Sequence, residues 1–349
     1  MSYKSKKRNI KKYLGEIDMS GWNRIKGHGN IKKYLAEAIE KDDIFHACMI
    51  SGEDGSGKLM IANTFAEALL CENRLDRPCL ACDSCKKALA GSHPDILYVT
   101  HEKPGSISVD EVRDQLVIPM SVRPYYGRYK IFIINDAHLM TPQAQNALLK
   151  TLEEPPEYGV IILLTENESL MLHTILSRVV KLHCGAVPKE TIKNHLIEEY
   201  KISDYKAEIC AVFAQGNIGK AISMASMEEF YATRDAAVTL AKIIPSTDVF
   251  DIIARIKEIA GYKDKIEKYL DFLFVWYHDV LLFKATANAD YCLFRDEFFY
   301  IKNQAEMASY RGLERILKAI TNARLRLKAN VKFDLVMELL FMTIKESFL

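Results

Sequence analysis

The chain has 349 residues, of which 49% are hydrophobic and 27% charged, and its formal net charge is +1. This composition is ordinary for a soluble globular protein. The near-zero charge gives no global attraction to nucleic acid, so any such contact must be local. No run approaches the roughly 20 apolar residues of a membrane span, and the basic N-terminus has no apolar segment behind it, which excludes a secretory signal and points to the cytoplasm.

A chain this long exceeds what one hydrophobic core usually supports, so two or three domains are expected. Residues 1–18 carry six Lys and Arg and few apolar groups, and are read as a basic, disordered leader. Its hexapeptide Asn9–Leu14 recurs at Asn30–Leu35, but two Lys-rich copies do not make a solenoid. From residue 19 to 184, helices alternate with apolar strands, the pattern of a parallel sheet covered on both faces. His46–Ser51 reads as a buried strand entering a glycine loop, with a helix over Lys58–Leu70 behind it. Ile96–Thr100, Tyr129–Ile134 and Val160–Thr165 are further strands, and Ser108 caps a helix whose Asp110 and Glu111 suit the positive end of its dipole. Pro142–Leu152 is helical and stops at Glu153-Glu154-Pro155-Pro156, because proline cannot continue a helix. Strand patterns then vanish: residues 185–242 form a small helical domain and 243–349 a set of longer amphipathic helices. The aromatic stripes of 272–283 and 313–348 are read as core or subunit interface.

Three constellations carry chemistry. Cys71, Cys79, Cys82 and Cys85 have the spacing of four thiolates closing tetrahedrally on one Zn²⁺, and an all-sulfur set leaves no open coordination position, so this metal is structural. The other cysteines, Cys48, Cys184, Cys210 and Cys292, sit in apolar or helical contexts as small buried hydrophobes. Gly52-Glu53-Asp54-Gly55-Ser56-Gly57-Lys58-Leu59 is a phosphate-binding loop: its glycines let backbone N–H groups wrap phosphate oxygens and Lys58 adds a charge. Leu59 stands where a hydroxyl normally ligates Mg²⁺. At the end of the strand after Lys130, where active phosphate-loop enzymes hold metal and activate water, stand the neutral Asn135 and the short Asp136. Two impaired positions point to a site that binds ATP or ADP but hydrolyses it poorly or not at all, with Mg²⁺ doubtful. The third feature is Thr174–Arg178; Arg178 is either an ordinary solvated charge or a finger reaching a neighbouring subunit's γ-phosphate.

Taken together, these residues resemble the delta-prime subunits of the bacterial DNA polymerase III clamp loader. Ile25–His28, the glycine loop, the four-Cys module followed by Ser92-His93-Pro94-Asp95, Asn146–Pro156, Thr174–Arg178, Gly216–Ile222, Phe274–Asp279 and Ala329–Leu340 carry the likeness, which runs from about residue 20 to the C-terminus. The resemblance implies an α/β P-loop AAA+ module with a zinc insertion at 71–85, then a helical lid (185–242) and an all-α collar that oligomerises (243–349). It implies DNA replication: tau/gamma and delta subunits as partners in a pentameric ring that opens the sliding clamp and places it on primer-template DNA. It implies a stator with weak or absent ATPase activity, offering Arg178 as an arginine finger in trans. Thr165 would fall at the first sensor position and Lys220 at the lid's basic sensor, joining Gly52, Gly55, Ser56, Gly57, Lys58 and Asp136 in the nucleotide site. The family's serine-arginine-cysteine motif is broken by Val179.

Three alternatives compete. A tau/gamma-like motor shares the zinc module and the finger motif, but Leu59, Asn135 and the lack of a long extension after the collar oppose it. A stand-alone phosphate-loop nucleotide kinase leaves the zinc module and collar helices unexplained. A zinc-dependent nucleic-acid binder is opposed by the mixed charge of residues 71–87 and their lack of aromatic platforms.

Overall fold

The computed structural model describes residues 21–101 and 105–348, so the predicted leader at 1–18 lies outside the described residues. By its contacts the chain divides into two compact units, one ending at Ile222 and the other beginning at Ser223. That division falls inside the 185–242 stretch read from sequence as the lid.

The first unit is built on five strands: β1 (Ala47–Ser51), β2 (Ile96–Val99), β3 (Lys130–Ile134), β4 (Gly159–Thr165) and β5 (Val180–His183). Their order is β2-β3-β4-β1-β5 and every neighbouring pair is parallel. β1, β3 and β4 are buried along their whole length because the pleat sends alternate side chains into two separate cores. Cys48, Ile50, Ile131, Ile133 and Ile162 join Phe65 on one face. Met49, Phe132, Ile134, Ile161 and Leu163 join Leu148 and Leu116 on the other. Each such side chain contributes roughly 1.5–3 kcal/mol by leaving water.

Helices α1 (Gly29–Glu40), α2 (Lys58–Leu69) and α3 (Asp83–Leu89) precede β2. α4 (Val109–Val112) opens with a capping box in which Ser108 and Glu111 serve each other's backbone, and a π turn (Arg113–Val117) carries it on to Met120. α5 (Pro142–Glu153) starts with Thr141 accepting from Ala144 N–H and stops before the two prolines, as the sequence predicts. α6 (His173–Leu176) leads to β5, and α7 (Lys189–Tyr200), α8 (Asp204–Phe213) and α9 (Ile218–Ser226) follow.

The second unit is helical: α10 (Glu228–Ile243), α11 (Val249–Ile259), α12 (Ile266–Thr286), α13 (Phe298–Met307), α14 (Tyr310–Lys328) and α15 (Phe333–Glu346). The aromatic stripe is core. Phe272, Trp276 and Tyr277 on α12 are fully buried, Phe230 packs on Phe272 at 5.2 Å, and Trp276 Nε1 donates to Gln304, which in turn donates to Ala241 O.

Asp279, also on α12, is buried and takes the N–H groups of Leu293 and Phe294 on one oxygen, at 2.7 and 2.8 Å. Burial pushes its carboxyl up to about 6, against the lowering effect of those N–H groups. Its folded value thus lies above its unfolded one, so this contribution to stability is complete below about pH 4 and is lost as pH rises through about 6. Asp279→Asn keeps an oxygen for both donors without the charge. In chemical denaturation the variant should be at least as stable at pH 7 and should lose up to about 3 kcal/mol of pH-dependence between pH 4 and 7; a strongly destabilised variant would contradict the assignment.

Candidate functional site

β1 lies between β4 and β5, and its ladder runs on past the strand end: Gly52 N–H donates to Thr165 O at 3.1 Å and Cys184 N–H to Ser51 O at 2.8 Å. The chain then turns through the glycine loop. Gly52, Gly55 and Gly57 have φ of 153, 80 and 96°, and Gly57 lies in the left-handed region immediately before α2. A Cβ at Gly52 would stand 2.8 Å from Cys184 Cβ and one at Gly55 2.8 Å from Asn217 Oδ1, so the loop admits no side chain at either position.

Lys58 is buried and its ammonium donates to Gly52 O (2.6 Å) and Glu53 O (2.8 Å), closing the loop on itself. A buried ammonium on two neutral carbonyls is a group that an anion would satisfy better. With a helix N-terminus behind it, this donor set fits a nucleotide's phosphates. Two histidines brace the loop. His28 Nε2–H donates to Ser56 O at 2.9 Å, and burial lowers its pKa, while His183 Nδ1 meets Ser51 Oγ at 3.0 Å.

The remaining predicted residues distribute unevenly. Thr165 touches the loop through its carbonyl, but its hydroxyl donates to Asn167 O. Asp136 accepts from Asn135 Nδ2 at 2.9 Å, on the same edge of the sheet two strands away. Lys220 does reach the loop, where its ammonium meets Glu53 Oε2 at 2.7 Å; that contact holds the Glu53 carboxyl below its usual range.

Reading the sequence did not find what fastens α9 to this loop. Asn217 is buried; its Nδ2 donates to Asp54 O at 2.7 Å and its Oδ1 accepts Lys220 N–H at 3.0 Å. Gly219 N–H donates to Gly55 O at 2.9 Å, and a Cβ at Gly219 would lie 2.6 Å from Gly55 Cα. The Lys220–Glu53 pair is largely exposed and adds little, so Asn217 and the glycine–glycine contact hold the helix down. The spacing Gly216-Asn217-x-Gly219 is the signal that could have shown it. Gly219→Ala should raise helix propensity by about 1 kcal/mol yet lift α9 off the loop. Faster amide hydrogen exchange over 218–226 in the full chain is the expected result, and slower exchange would show that the contact does not restrain the helix.

Arg178 is elsewhere. The register Cys48↔Val180 to Ser51↔His183 puts it just before the start of β5, at the sheet edge opposite the glycine loop. At about 3.3 Å per residue the strand alone separates them by more than 10 Å. The guanidinium Nη2 pairs with Glu153 at 2.8 Å, and Nη1 donates to Thr174 O (2.9 Å) and Ser177 Oγ (3.1 Å).

In the four-Cys module every cysteine is free and the four Sγ atoms lie within 4.8 Å of one another. Four thiolates 2.3 Å from one ion stand about 3.8 Å apart, so the cluster fits a tetrahedral Zn²⁺. Burial alone would raise the Cys79 thiol, but the N–H groups of Ala81 and Cys82 together with the neighbouring Cys71 and Cys82 thiols bring it down to about 7, favouring the ligand form. A polar chain anchors the module. Asp95 N–H donates to His93 Nδ1, leaving Nε2–H to donate to Ser84 Oγ, which donates to Leu70 O. The Asp95 carboxylate, fully buried, takes the N–H groups of Tyr125, Tyr126 and Gly127. The fold also lays Tyr126 against the module, its ring 3.8 Å from Lys87 Nζ, an aromatic that residues 71–87 themselves lack.

A five-stranded parallel sheet with a phosphate loop after its inner strand defines a P-loop α/β module, here carrying a four-Cys insertion and followed by a helical C-terminal region. The family described as DNA polymerase III, delta subunit matches residues 27–187. Subunit delta' of DNA polymerase III from Bacillus subtilis is 30% identical over 91% of this chain and 96% of its own length, and the chain belongs to that delta-prime family. Subunit tau of the same organism is 28% identical over 76% of this chain, which spans about half of that relative's length (51%). A gamma subunit-related protein of Thermotoga maritima is 20% identical, with 90% of this chain and 99% of that one covered and a TM-score of 0.41. No helix among the described residues is long and apolar enough to cross a membrane.

Proposed function

We propose that this clamp-loader subunit is a stator: it serves a neighbour's ATP site rather than turning over nucleotide itself. Its partners on this reading are tau/gamma and delta subunits in a pentameric ring that loads the sliding clamp onto primer-template DNA, touching DNA only as part of the ring. The observation that carries the reading is the separation of Arg178 from its own glycine loop, at opposite edges of one sheet. A cation so placed does nothing for a phosphate on Lys58, but its half-exposed guanidinium could face one on an adjacent subunit, where it would offset charge building on the transferring phosphoryl group.

Leu59 and Asn135 support the same division of labour, since Leu59 offers a metal no donor atom and Asn135 offers only a neutral amide oxygen where active enzymes place a carboxylate. The glycine loop would hold ATP or ADP through Gly52, Gly55, Ser56, Gly57 and Lys58, with Thr165, Asp136 and Lys220 at its border. Cys71, Cys79, Cys82 and Cys85 would hold a structural Zn²⁺. We take 19–184 as core, 185–242 as lid and 243–349 as the collar that oligomerises. The exposed Leu325, Leu335, Leu339 and Phe299 give that last segment apolar surface to share.

The retained glycines and Lys58 of the loop favour a second reading, a tau/gamma-like motor. The reconstituted loader separates the two by its clamp- and DNA-stimulated ATP turnover. A stator predicts a silent Lys58→Ala and a costly Arg178→Ala; a motor predicts that Lys58→Ala itself lowers turnover in an assembled complex.

A further inference from the structure

We infer that Glu153 is the positioning residue for Arg178, holding its guanidinium in the place from which it serves the neighbouring site; this rests on the finger reading above. Glu153 is the last residue of α5, immediately before Glu154-Pro155-Pro156, and its Oε1 lies 2.8 Å from Arg178 Nη2. Among the described residues it is the one carboxylate within ion-pair distance of that arginine. The helix end adds its own partial negative charge to the carboxylate.

The other side of the guanidinium is fixed by Arg178's own turn, where Nη1 donates to Thr174 O and to Ser177 Oγ. Three of the five N–H donors of an arginine are thus committed within the chain, and the remaining two are left for an incoming phosphate. A finger held in this way has already given up rotamer freedom that a loose arginine would surrender on reaching the transition state. α5 starts at Pro142, six residues beyond Asp136, and ends on the finger's partner Glu153, so a single helix runs from just beyond Asp136 to the residue that holds Arg178.

The chemistry of the pair dictates which variants matter. Glu153→Gln retains an oxygen at the same reach and keeps the hydrogen bond without the charge. Glu153→Asp retains the charge but is one methylene short of the guanidinium. Glu153→Ala loses both. If geometry is what the pair supplies, then in the reconstituted loader Glu153→Ala and Glu153→Asp lower kcat at the neighbouring subunit's site about three- to tenfold, read as a fraction of the loss that Arg178→Ala causes in the same assay, with KM for ATP unchanged. Glu153→Gln then restores most of the rate.

The melting temperature of each free subunit and the assembly of each complex are measured alongside. A merely structural role would lower stability in step with rate and would be rescued by Asp as well as by Gln. A Glu153→Ala loader that turns over at the wild-type rate, or faster, while Arg178→Ala is costly overturns this inference and leaves the finger intact. An Arg178→Ala loader that turns over normally removes both.

Discussion

Replacing Arg178 by alanine should lower ATP turnover at the neighbouring subunit's site about 10³-fold or more, the range that fingers supplied in trans command, while the complex still assembles. Assembly should survive because the arginine's own contacts are modest. Its pair with Glu153 is partly exposed on both sides, at 36 and 51%, and such pairs are worth at most about 1 kcal/mol. The total turnover of a ring reads this loss in one of two ways. If the motor sites fire independently, the rate falls by the one site's share; if they fire in concert, it falls almost to background. Arg178→Lys separates charge from geometry, because lysine keeps the cation but not the planar fork. A lysine variant as slow as the alanine one would assign the effect to the fork. Wild-type turnover in Arg178→Ala, in a complex shown to contain the variant, would end the stator reading.

How much of this was legible in the chain follows from the distance over which each feature acts. β1, β3 and β4 are buried on both faces and so appear as unbroken apolar runs. β5 does not. Its four residues Val180-Lys181-Leu182-His183 form an edge strand in which Leu182 alone is buried, and so short an alternation has no signature against the helices around it. Without β5 there is no register, and without register the placement of Arg178 opposite its own loop cannot be derived. The Cys module and the glycine loop announce themselves because their members lie within a few residues of one another. Asn217 and Asp54 are 163 positions apart, so the clasp between α9 and the loop could not be read locally, although Gly216 and Gly219 marked the place. Ser92-His93-Pro94-Asp95 was visible as a motif, but its work, a buried carboxylate closing on the backbone of 125–127, needs the fold.

Stripping zinc from the chain should disorder residues 71–95 locally and leave the sheet standing. Between Cys71 and α3 there is no regular secondary structure and no apolar core of its own; Leu75 is 99% exposed. The interactions seen there include N–H groups of Cys79, Cys82 and Cys85 on cysteine sulfurs, the Ser84 N–H on Glu72 Oε1, the Trp22 indole on Arg77 O, and short turns around Asn73. A four-thiolate zinc site in small peptides is worth about 10–16 kcal/mol, free energy that in those systems is folding free energy. Here it has only this segment to order, since the two faces of the sheet are packed independently of it. A chelator should therefore open rapid proteolysis between residues 72 and 81 while the far-ultraviolet circular dichroism of the chain barely changes. Acid should act in the same direction, because every ligand must be a thiolate: burial pushes the thiols of Cys71 and Cys85 up, so protons compete well for them as pH falls. Cys85→Ser should reproduce the chelator's effect, and Cys48→Ser, at a buried position on β1 outside the cluster, should leave zinc content at one ion per chain. If chelation instead unfolds the whole chain in one cooperative transition, the metal is holding the core as well, and the anchoring chain from Leu70 through Ser84 and His93 to Asp95 would be the route by which it does so.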